Sequence, residues 1–437
     1  MNRELDKLAE RIKKRIVETG DDLQNTLFRQ ARAGEKHAIQ SVKRRIQHVI
    51  REERIVVSDL THEQLINEIF KRNWGLGAIQ DLYDSPDVNE VWVNGAGPHK
   101  VWVERSGKRL CAEDVFFEDE DEIRQIQQRI LSNENQELNQ SNPVVESKML
   151  DGTRVTLTCP PETSARTITL RKHQSHILST DDYIRLGTLD RHSADILAAL
   201  VRGRVNILLI GATSSGKTSM LKWLAQFIQS NLRIGVLETT YELALDRHLP
   251  RHNVICFEEQ PRLGRTIVKQ FHTMLRESPD VIILGEARGQ EADMMIKTFR
   301  RGHPGSMGTI HSNSPEAAIQ DLADMIMEDG RNWDQKALYL RVARSIDVIV
   351  QLHLEPETGI RRLWRVTEVE CPELADEVKF RDLVCFDPKA KGWTYPNQPG
   401  KRLTERLALY GVTYPQQKMD SAHVSNPAEK EVVAWSL

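Results

Sequence analysis

The chain has 437 residues, with 60 Lys and Arg against 63 Asp and Glu and a formal net charge of −3. That balance excludes a protein carried onto nucleic acid or anionic lipid by overall charge, and the length calls for about two or three domains. Five scattered cysteines (Cys111, Cys159, Cys256, Cys371, Cys385) form no Cys-x-x-Cys pair, which argues against a zinc module and fits a reducing compartment.

The N-terminus is charged from its third residue, unlike a signal peptide. No apolar run approaches the roughly 18 to 20 residues that span a bilayer, so the expectation is no integral membrane segment and at most peripheral association. Leu5, Leu8, Ile12 and Ile16 keep helical spacing, and Ile39, Val42, Ile46, Val49 and Ile50 repeat it. Through Arg54 there are 14 Lys and Arg against 9 Asp and Glu. Two readings stand here: a solvated amphipathic face, or a docking helix for an acidic partner or anionic headgroups. A short helix, His62 to Phe70, follows.

From Gly75 the texture changes. Val88-Asn-Glu-Val-Trp-Val-Asn-Gly95 and Lys100-Val-Trp-Val-Glu104 alternate around an Asn-Gly turn, which predicts a hairpin. A helix over Asp119 to Leu131 and strands over Arg154 to Thr158 and Thr167 to Leu170 complete an α+β domain at 75–173. It is preceded by a helical extension at 1–74 and followed by a polar linker at 174–180.

From Asp181 helices and apolar strands alternate, the pattern of a largely parallel sheet: Ser193–Val201, Ile207–Ile210, Thr218–Gln229, Ile234–Leu237, Ile267–Leu275, Val281–Leu284. This α/β domain is placed at 181–415, with a helix over Lys401 to Tyr410 and a polar tail at 416–437.

The chemistry centres on Gly211-Ala-Thr-Ser-Ser-Gly216-Lys217-Thr218, which follows an apolar strand and opens a helix. The pattern Gly-x-x-x-x-Gly-Lys-[Ser/Thr] in that context is a phosphate-binding loop: small residues let backbone N–H groups converge on phosphate oxygens at a helix start. Gly211, Thr213, Ser214, Ser215, Gly216, Lys217, Thr218 and Ser219 are the nucleotide-binding candidates, with Lys217 reaching the β/γ-phosphates and the Thr218 hydroxyl a Mg²⁺ ligand.

Acids are then needed to hold the metal's water shell and position an attacking water. Val281-Ile-Ile-Leu-Gly285-Glu286 ends a buried strand in an acid, between Leu275-Arg276-Glu-Ser-Pro-Asp280 and Ala287-Arg288-Gly289. Ile234-Gly-Val-Leu-Glu238-Thr-Thr-Tyr-Glu242 is a second such strand. Gly302-His303-Pro-Gly305-Ser-Met-Gly308-Thr-Ile-His311 sets two histidines among three glycines, a backbone able to pass close to a ligand and imidazoles able to donate to a phosphate.

With these motifs in order, the chain resembles the secretion ATPases of the type II/type IV secretion superfamily, especially the tight-adherence (Tad) pilus branch. The resemblance runs from about Leu76 to at least Val369, some two thirds of the chain. Its N-terminal part rests on Gly75-Leu-Gly77, the two hairpin segments with Gly107, Asp151-Gly-Thr-Arg154-Val and Ile168-Thr-Leu-Arg171-Lys. Its C-terminal part rests on the phosphate loop, an Asp-box-like Leu237–Glu242, a Walker B at Pro279–Arg288 and a His box at Gly302–His311.

The resemblance implies a homohexameric ring hydrolysing ATP with Mg²⁺. Each subunit would have a PAS-like N-terminal domain and a RecA-like P-loop core, the site lying between them. It implies Glu286 as the Walker B acid acting on Mg²⁺ and its water, and Glu238 as a candidate for polarising that water, the choice of base staying open. It implies His311 and His303 as γ-phosphate sensors, and Arg154 and Arg171 as arginines offered to the phosphates. It also implies a place at the inner face of the cytoplasmic membrane, working on platform proteins of a pilus or secretion system.

Three positions depart from the family pattern. Thr239 stands where an Asp usually follows the Glu, Ser278 where a basic residue usually precedes Pro-Asp, and Arg301 where a Thr commonly precedes Gly302. Either the metal shell leans more on Glu286 and Glu242, or turnover is reduced. The rivals are a nucleic-acid translocase or conjugation motor, disfavoured by the acidic balance and the lack of aromatic–basic interleaving, and a nucleotide-gated scaffold, favoured only by Thr239. No Asn-Lys-x-Asp motif supports a GTPase, and no tetracysteine module supports the type II secretion or pilus-extension branches.

Overall fold

The computed structural model describes residues 2–18, 26–28, 30–31, 35–105, 108–132, 136–149, 151–172, 177–260, 263–328, 330, 332–372 and 376–416. Gly107, residue 173, residues 174–176 of the predicted linker and the tail after Gln416 lie outside them. The chain divides into two compact units, Met1–Gln174 and Ser175–Ala428.

In the first unit, helices α1 (Asn2–Glu18), α2 (Lys36–Glu52) and α3 (His62–Asn73) pack their apolar stripes together. Ile12, Ile16, Val42, Ile46, Ile50, Leu65 and Ile69 are all buried in this shared core. The stripes that the sequence leaves open to a lipid surface are therefore turned inward, and the outer faces of these helices are polar.

An antiparallel sheet follows, in the order β3-β2-β1-β6-β5-β4. Its strands are β1 (Val88–Val93), β2 (Val101–Arg105), β3 (Lys108–Cys111), β4 (Val144–Lys148), β5 (Arg154–Thr158) and β6 (Thr167–Arg171). Alternate residues Val91, Val93, Val155, Leu157, Ile168 and Leu170 face one core, where helix α4 (Glu120–Leu131) adds Ile123 and Ile126. Asp119 caps α4 by accepting from the N–H groups of Asp121 and Glu122, both at 3.0 Å. The expected hairpin, helix and two strands are present; β3 and β4 are additional, their exposed and charged sequences giving little alternation to read.

The second unit is built on a nine-stranded sheet in the order β15-β14-β13-β12-β7-β11-β10-β8-β9. Strands β7 (Ile207–Ile210), β8 (Arg233–Glu238), β9 (Asn253–Glu258), β10 (Val281–Leu284), β11 (Met307–Ile310) and β12 (Val348–Leu354) run parallel. Ile207 and Leu209 enter the core on one side of the sheet, Leu208 and Ile210 the core on the other, so β7 is buried on both faces as its apolar run implies. Helices α5 (Arg191–Arg202) and α6 (Lys217–Ala225) cover the first side. Helices α7 (Ile267–Leu275), α8 (Glu291–Arg300) and α9 (Pro315–Met327) cover the second. The sheet then continues antiparallel through β13 (Arg361–Glu370), β14 (Lys379–Asp387) and β15 (Gly392–Thr394), before helix α10 (Lys401–Leu409). The fold is mixed α/β. Among the described residues no helix is long and apolar enough to cross a membrane.

Candidate functional site

Parallel strands all end at one edge of their sheet, so chemistry carried by their C-terminal ends converges there. β7 delivers Gly211, β8 Glu238, β10 Glu286 and β11 His311 to this edge, and the pairings β8–β10–β11–β7 make the strands neighbours.

The loop after β7 has a backbone that few residues adopt. Gly211 lies at φ +147°, and a Cβ there would stand 2.4 Å from the Leu352 carbonyl of β12. Gly216 at φ +95° opens α6. Between them Ser214, not a glycine, sits at φ +62°, a conformation costing roughly 1 kcal/mol. Thr213 and Ser214 are exposed, whereas Ser215 is buried with its Oγ lacking a hydrogen-bond partner. Thr218 and Ser219 occupy the first turn of α6, half-buried. Beside the loop opens a cleft of about 530 Å³ lined by Gly211, Thr213, His311 and the α9 carboxylates Asp321 and Asp324.

Lys217 curls back over the loop, donating from Nζ to the carbonyls of Gly211 (2.8 Å) and Ala212 (3.0 Å). Burial lowers its pKa to about 8, with Glu286 pulling the other way. Its Nζ also lies 3.4 Å from His311 Nδ1, and His311 Nε2 lies 2.8 Å from Glu286 Oε1. Since Lys217 can only donate, the Nδ1 facing it is the acceptor and Nε2 carries the proton, with Glu286 Oε1 near but without a hydrogen-bond partner. Burial and the neighbouring Lys217 lower the imidazole's pKa, against the pull of Glu286. Burial pushes the Glu286 carboxyl up, but Arg288, donating to Oε2 at 2.7 Å, together with His311 and Lys217 holds it below the usual carboxylate range.

Glu238 has the opposite character. It is 4% exposed, and burial raises its pKa to about 7 despite two backbone donors. Its Oε1 accepts from the N–H groups of Glu242 (3.0 Å) and Leu243 (2.9 Å), while Oε2 is buried without a partner. The carboxyl reaches the edge because Gly285 has no side chain: a Cβ there would lie 2.9 Å from Glu238 Cγ. Glu242 is half-buried and contributes its amide to Glu238; Thr239, at the departed position, is exposed.

The remaining candidates lie elsewhere. His303 precedes β11, and its Nδ1 hydrogen-bonds the Pro279 carbonyl at 2.9 Å, before β10. It is therefore at the opposite edge of the sheet from His311, lining a separate cavity of about 490 Å³ between α7 and α8. Arg276, exposed just after α7, belongs to that far edge as well. Two of the three glycines of the His box serve packing: a Cβ at Gly308 would meet Met295 Cε at 2.4 Å, and one at Gly305 the Arg204 backbone at 3.0 Å. Arg154 and Arg171 belong to the first unit, where they are direct cross-strand partners on β5 and β6, with Glu90 3.2 Å from Arg171.

Two residues that sequence reasoning missed belong to the site, one at the loop and one near Glu238 and Glu242. Arg361, at the start of β13, donates from Nε to the Ser214 carbonyl at 2.9 Å across 147 residues of sequence, a separation no local pattern signals. Lys222, one turn along α6, is 5% exposed, and burial lowers its pKa against the pull of Glu238 and Glu242. Its helical spacing puts it on the face opposite Leu221, Leu224 and Ile228, so no pattern along the chain marks it as buried.

The donor set at this edge is hydroxyl and carboxylate oxygen, suited to Mg²⁺ rather than to softer metals. Among the described residues no three His, Cys, Asp or Glu side chains are grouped as a metal cage.

A family model described as type II/IV secretion system protein matches residues 75–413. The chain is similar to a probable conjugal transfer protein TrbB of Sinorhizobium fredii, 25% identical over 296 residues that cover 66% of this chain and 85% of that one. It is similar also to VirB11 of Agrobacterium fabrum, 27% identical over 310 residues covering 63% of this chain and 87% of that protein. Among solved structures, the VirB11 ATPase of the Brucella suis type IV secretion system, in complex with sulphate, is 24% identical, spans 66% of this chain and 91% of its own, and gives a TM-score of 0.36. The ADP-bound pilus retraction motor PilT is 18% identical, spans 74% and 82%, and gives 0.49. With a matching region that takes in the six-stranded antiparallel sheet, the phosphate loop and the strands that carry Glu238, Glu286 and His311, the chain belongs to the type II/IV secretion system protein family.

Proposed function

We propose that this chain is a Mg²⁺-dependent ATPase that acts as a ring of six copies and powers pilus assembly or protein secretion from the cytoplasmic face of a membrane. The observation that carries the reading is the meeting of the phosphate loop, Glu286, His311 and Glu238 at one edge of the parallel sheet. The loop amides and Lys217 would bind the β- and γ-phosphates, and Thr218 and Glu286, the latter through water, are the residues to hold Mg²⁺. The metal would offset charge on the phosphate oxygens.

Within this reading Glu238 is the better base: its pKa of about 7 and unpartnered Oε2 suit it to take a proton from water. Glu286, held ionised below the usual carboxylate range, has Oε2 engaged by Arg288, while its Oε1 lies 2.8 Å from His311 Nε2 without a hydrogen bond; its low basicity is what makes it the poorer base. His311 joins Lys217 to Glu286, so drawing Lys217 toward a γ-phosphate would release His311 Nδ1, which is how it would sense that phosphate. Arg154 and Arg171 would offer positive charge from the first unit. The placement in the tight-adherence branch rests on the sequence boxes alone.

Steady-state ATP hydrolysis by the purified chain, with oligomer mass recorded in parallel, tests the reading. Turnover should be abolished by Lys217→Ala through loss of binding, and by Glu286→Gln with ATP still bound. ATP binding without turnover in a folded ring would move the reading to a nucleotide-gated scaffold. The likeness to TrbB, described as a conjugal transfer protein, favours a conjugation motor as second reading. Turnover stimulated by single-stranded DNA would select it.

A further inference from the structure

We infer that Arg361 is a positioning residue of the phosphate loop, holding the Ser214 carbonyl outward so that the amide after it points into the loop toward a phosphate oxygen. The inference rests on the nucleotide reading above and adds to it a residue from outside the motif.

Three observations carry it. First, the Arg361 Nε–H donates to the Ser214 carbonyl at 2.9 Å, and Ser214 is the one residue among 212–215 forced into the left-handed region. Because a peptide unit is planar and trans, fixing that carbonyl outward turns the Ser215 N–H to the other side. There it rests on the Ala212 carbonyl at 3.3 Å, a long bond readily exchanged for an anionic oxygen. Second, the stem of Arg361 lies against the loop as well: a Cβ at Gly216 would stand 3.1 Å from Arg361 Cδ. The loop is therefore held at Ser214 and at Gly216, on either side of the amide in question.

Third, the strand end that presents Arg361 is anchored. The Leu363 N–H donates to the Thr188 carbonyl at 2.7 Å. On the opposite face of β13, Arg362 donates to the Gly187 carbonyl at 2.6 Å and to Glu355 at 2.8 Å. Arg361 thus acts on the loop from a fixed base.

The test uses the full chain and separates packing from hydrogen bonding. Arg361→Met keeps a stem against Gly216 and removes the donor; Arg361→Lys keeps a cation; Lys217→Ala reports whether the loop is the nucleotide site. Dissociation constants for ATP and ADP are measured by displacement of a fluorescent nucleotide, and thermal midpoints without nucleotide. Arg361→Met is expected to bind both nucleotides about tenfold more weakly, the size of one hydrogen bond from a charged group. Its nucleotide-free midpoint should fall by no more than the loss of one half-exposed hydrogen bond brings, saturated turnover should fall less than affinity, and Arg361→Lys should recover part of the loss. Parent-like affinity in Arg361→Met would overturn the inference. So would weaker binding matched by an equally lowered midpoint, which is general structural loss. A parent that binds neither nucleotide, or Lys217→Ala binding as the parent does, would remove the nucleotide reading itself, and with it this inference.

Discussion

Glu238 and Glu286 end neighbouring parallel strands yet carry opposite perturbations, and the cause is what surrounds each carboxyl. Glu286 faces Arg288, His311 and Lys217, and its share of stability is present above the ordinary carboxylate range and lost as pH falls through its lowered pKa. Glu238 is buried beside Glu242 and Lys222, and the folded chain keeps a proton that the unfolded chain releases between its ordinary 4.5 and about 7. Stability therefore falls as pH rises through that window, by about 3 kcal/mol at most. Glu238→Gln should abolish turnover while raising the thermal midpoint at pH 8, with the gain vanishing toward pH 5. In the parent, saturated turnover should climb with pH through about 7. A pH-independent midpoint difference would show that Glu238 is not buried as a proton-carrying group, and retained turnover would remove it as base.

At the scale of elements, the strand under the phosphate loop is pinned at its other end. Asn206, before β7, gives its backbone N–H to Asp347 (2.9 Å) and its side-chain amide to the Phe299 carbonyl (2.9 Å), and accepts from the Gly305 N–H (3.0 Å). Asp347, 5% exposed, also accepts from Arg402 (3.0 Å) and forms an ion pair with Arg406 (2.6 Å) of α10. One carboxylate thus ties β7, β12 and α10. Asp347→Ala leaves a buried amide and two guanidinium groups without it, a loss of about 3 kcal/mol. A chemical-denaturation curve should show that loss, with nucleotide affinity falling only as far as the folded fraction does. The His box is instructive at this scale. As sequence it is one glycine-rich stretch with two histidines; as structure its second half is β11. Four residues of strand carry the chain across the sheet and leave His303 and His311 on opposite edges.

For the whole molecule, Arg154 and Arg171 are the residues whose proposed role needs both units. They sit side by side on β5 and β6, and like charges directly opposite oppose pairing unless an anion faces them. Arg171→Ala also breaks a half-exposed pair with Glu90, worth at most about 1 kcal/mol. Either substitution should slow ATP turnover while leaving ATP affinity and the unfolding midpoint near those of the parent. Full activity in both would place the phosphate-facing cation elsewhere. The basic N-terminal helices are constrained at the same scale. With their apolar stripes packed into one core, any contact with anionic lipid would be electrostatic and should be lost in high salt.

The sequence by itself determined whatever a short window encodes. The apolar run of β7 followed by Gly211–Thr218 specifies a buried strand, a phosphate loop and a helix start, the apolar run of β10 a second buried strand, and the 3.6 and 2.0 periodicities specify α1, α2, β1, β2 and α7. The ordered boxes also sufficed to identify the family. The antiparallel strands β13 to β15 were not read, since Arg and Glu interrupt their alternation. Only tertiary structure decided which chemistry meets. It put Glu238 past Gly285, joined Lys217 through His311 to Glu286, sent His303 and Arg276 to the far edge, and brought Arg361 to the loop. These depend on which strands pair and on which atoms a side chain must pass, and no pattern of neighbours along the chain carries that information.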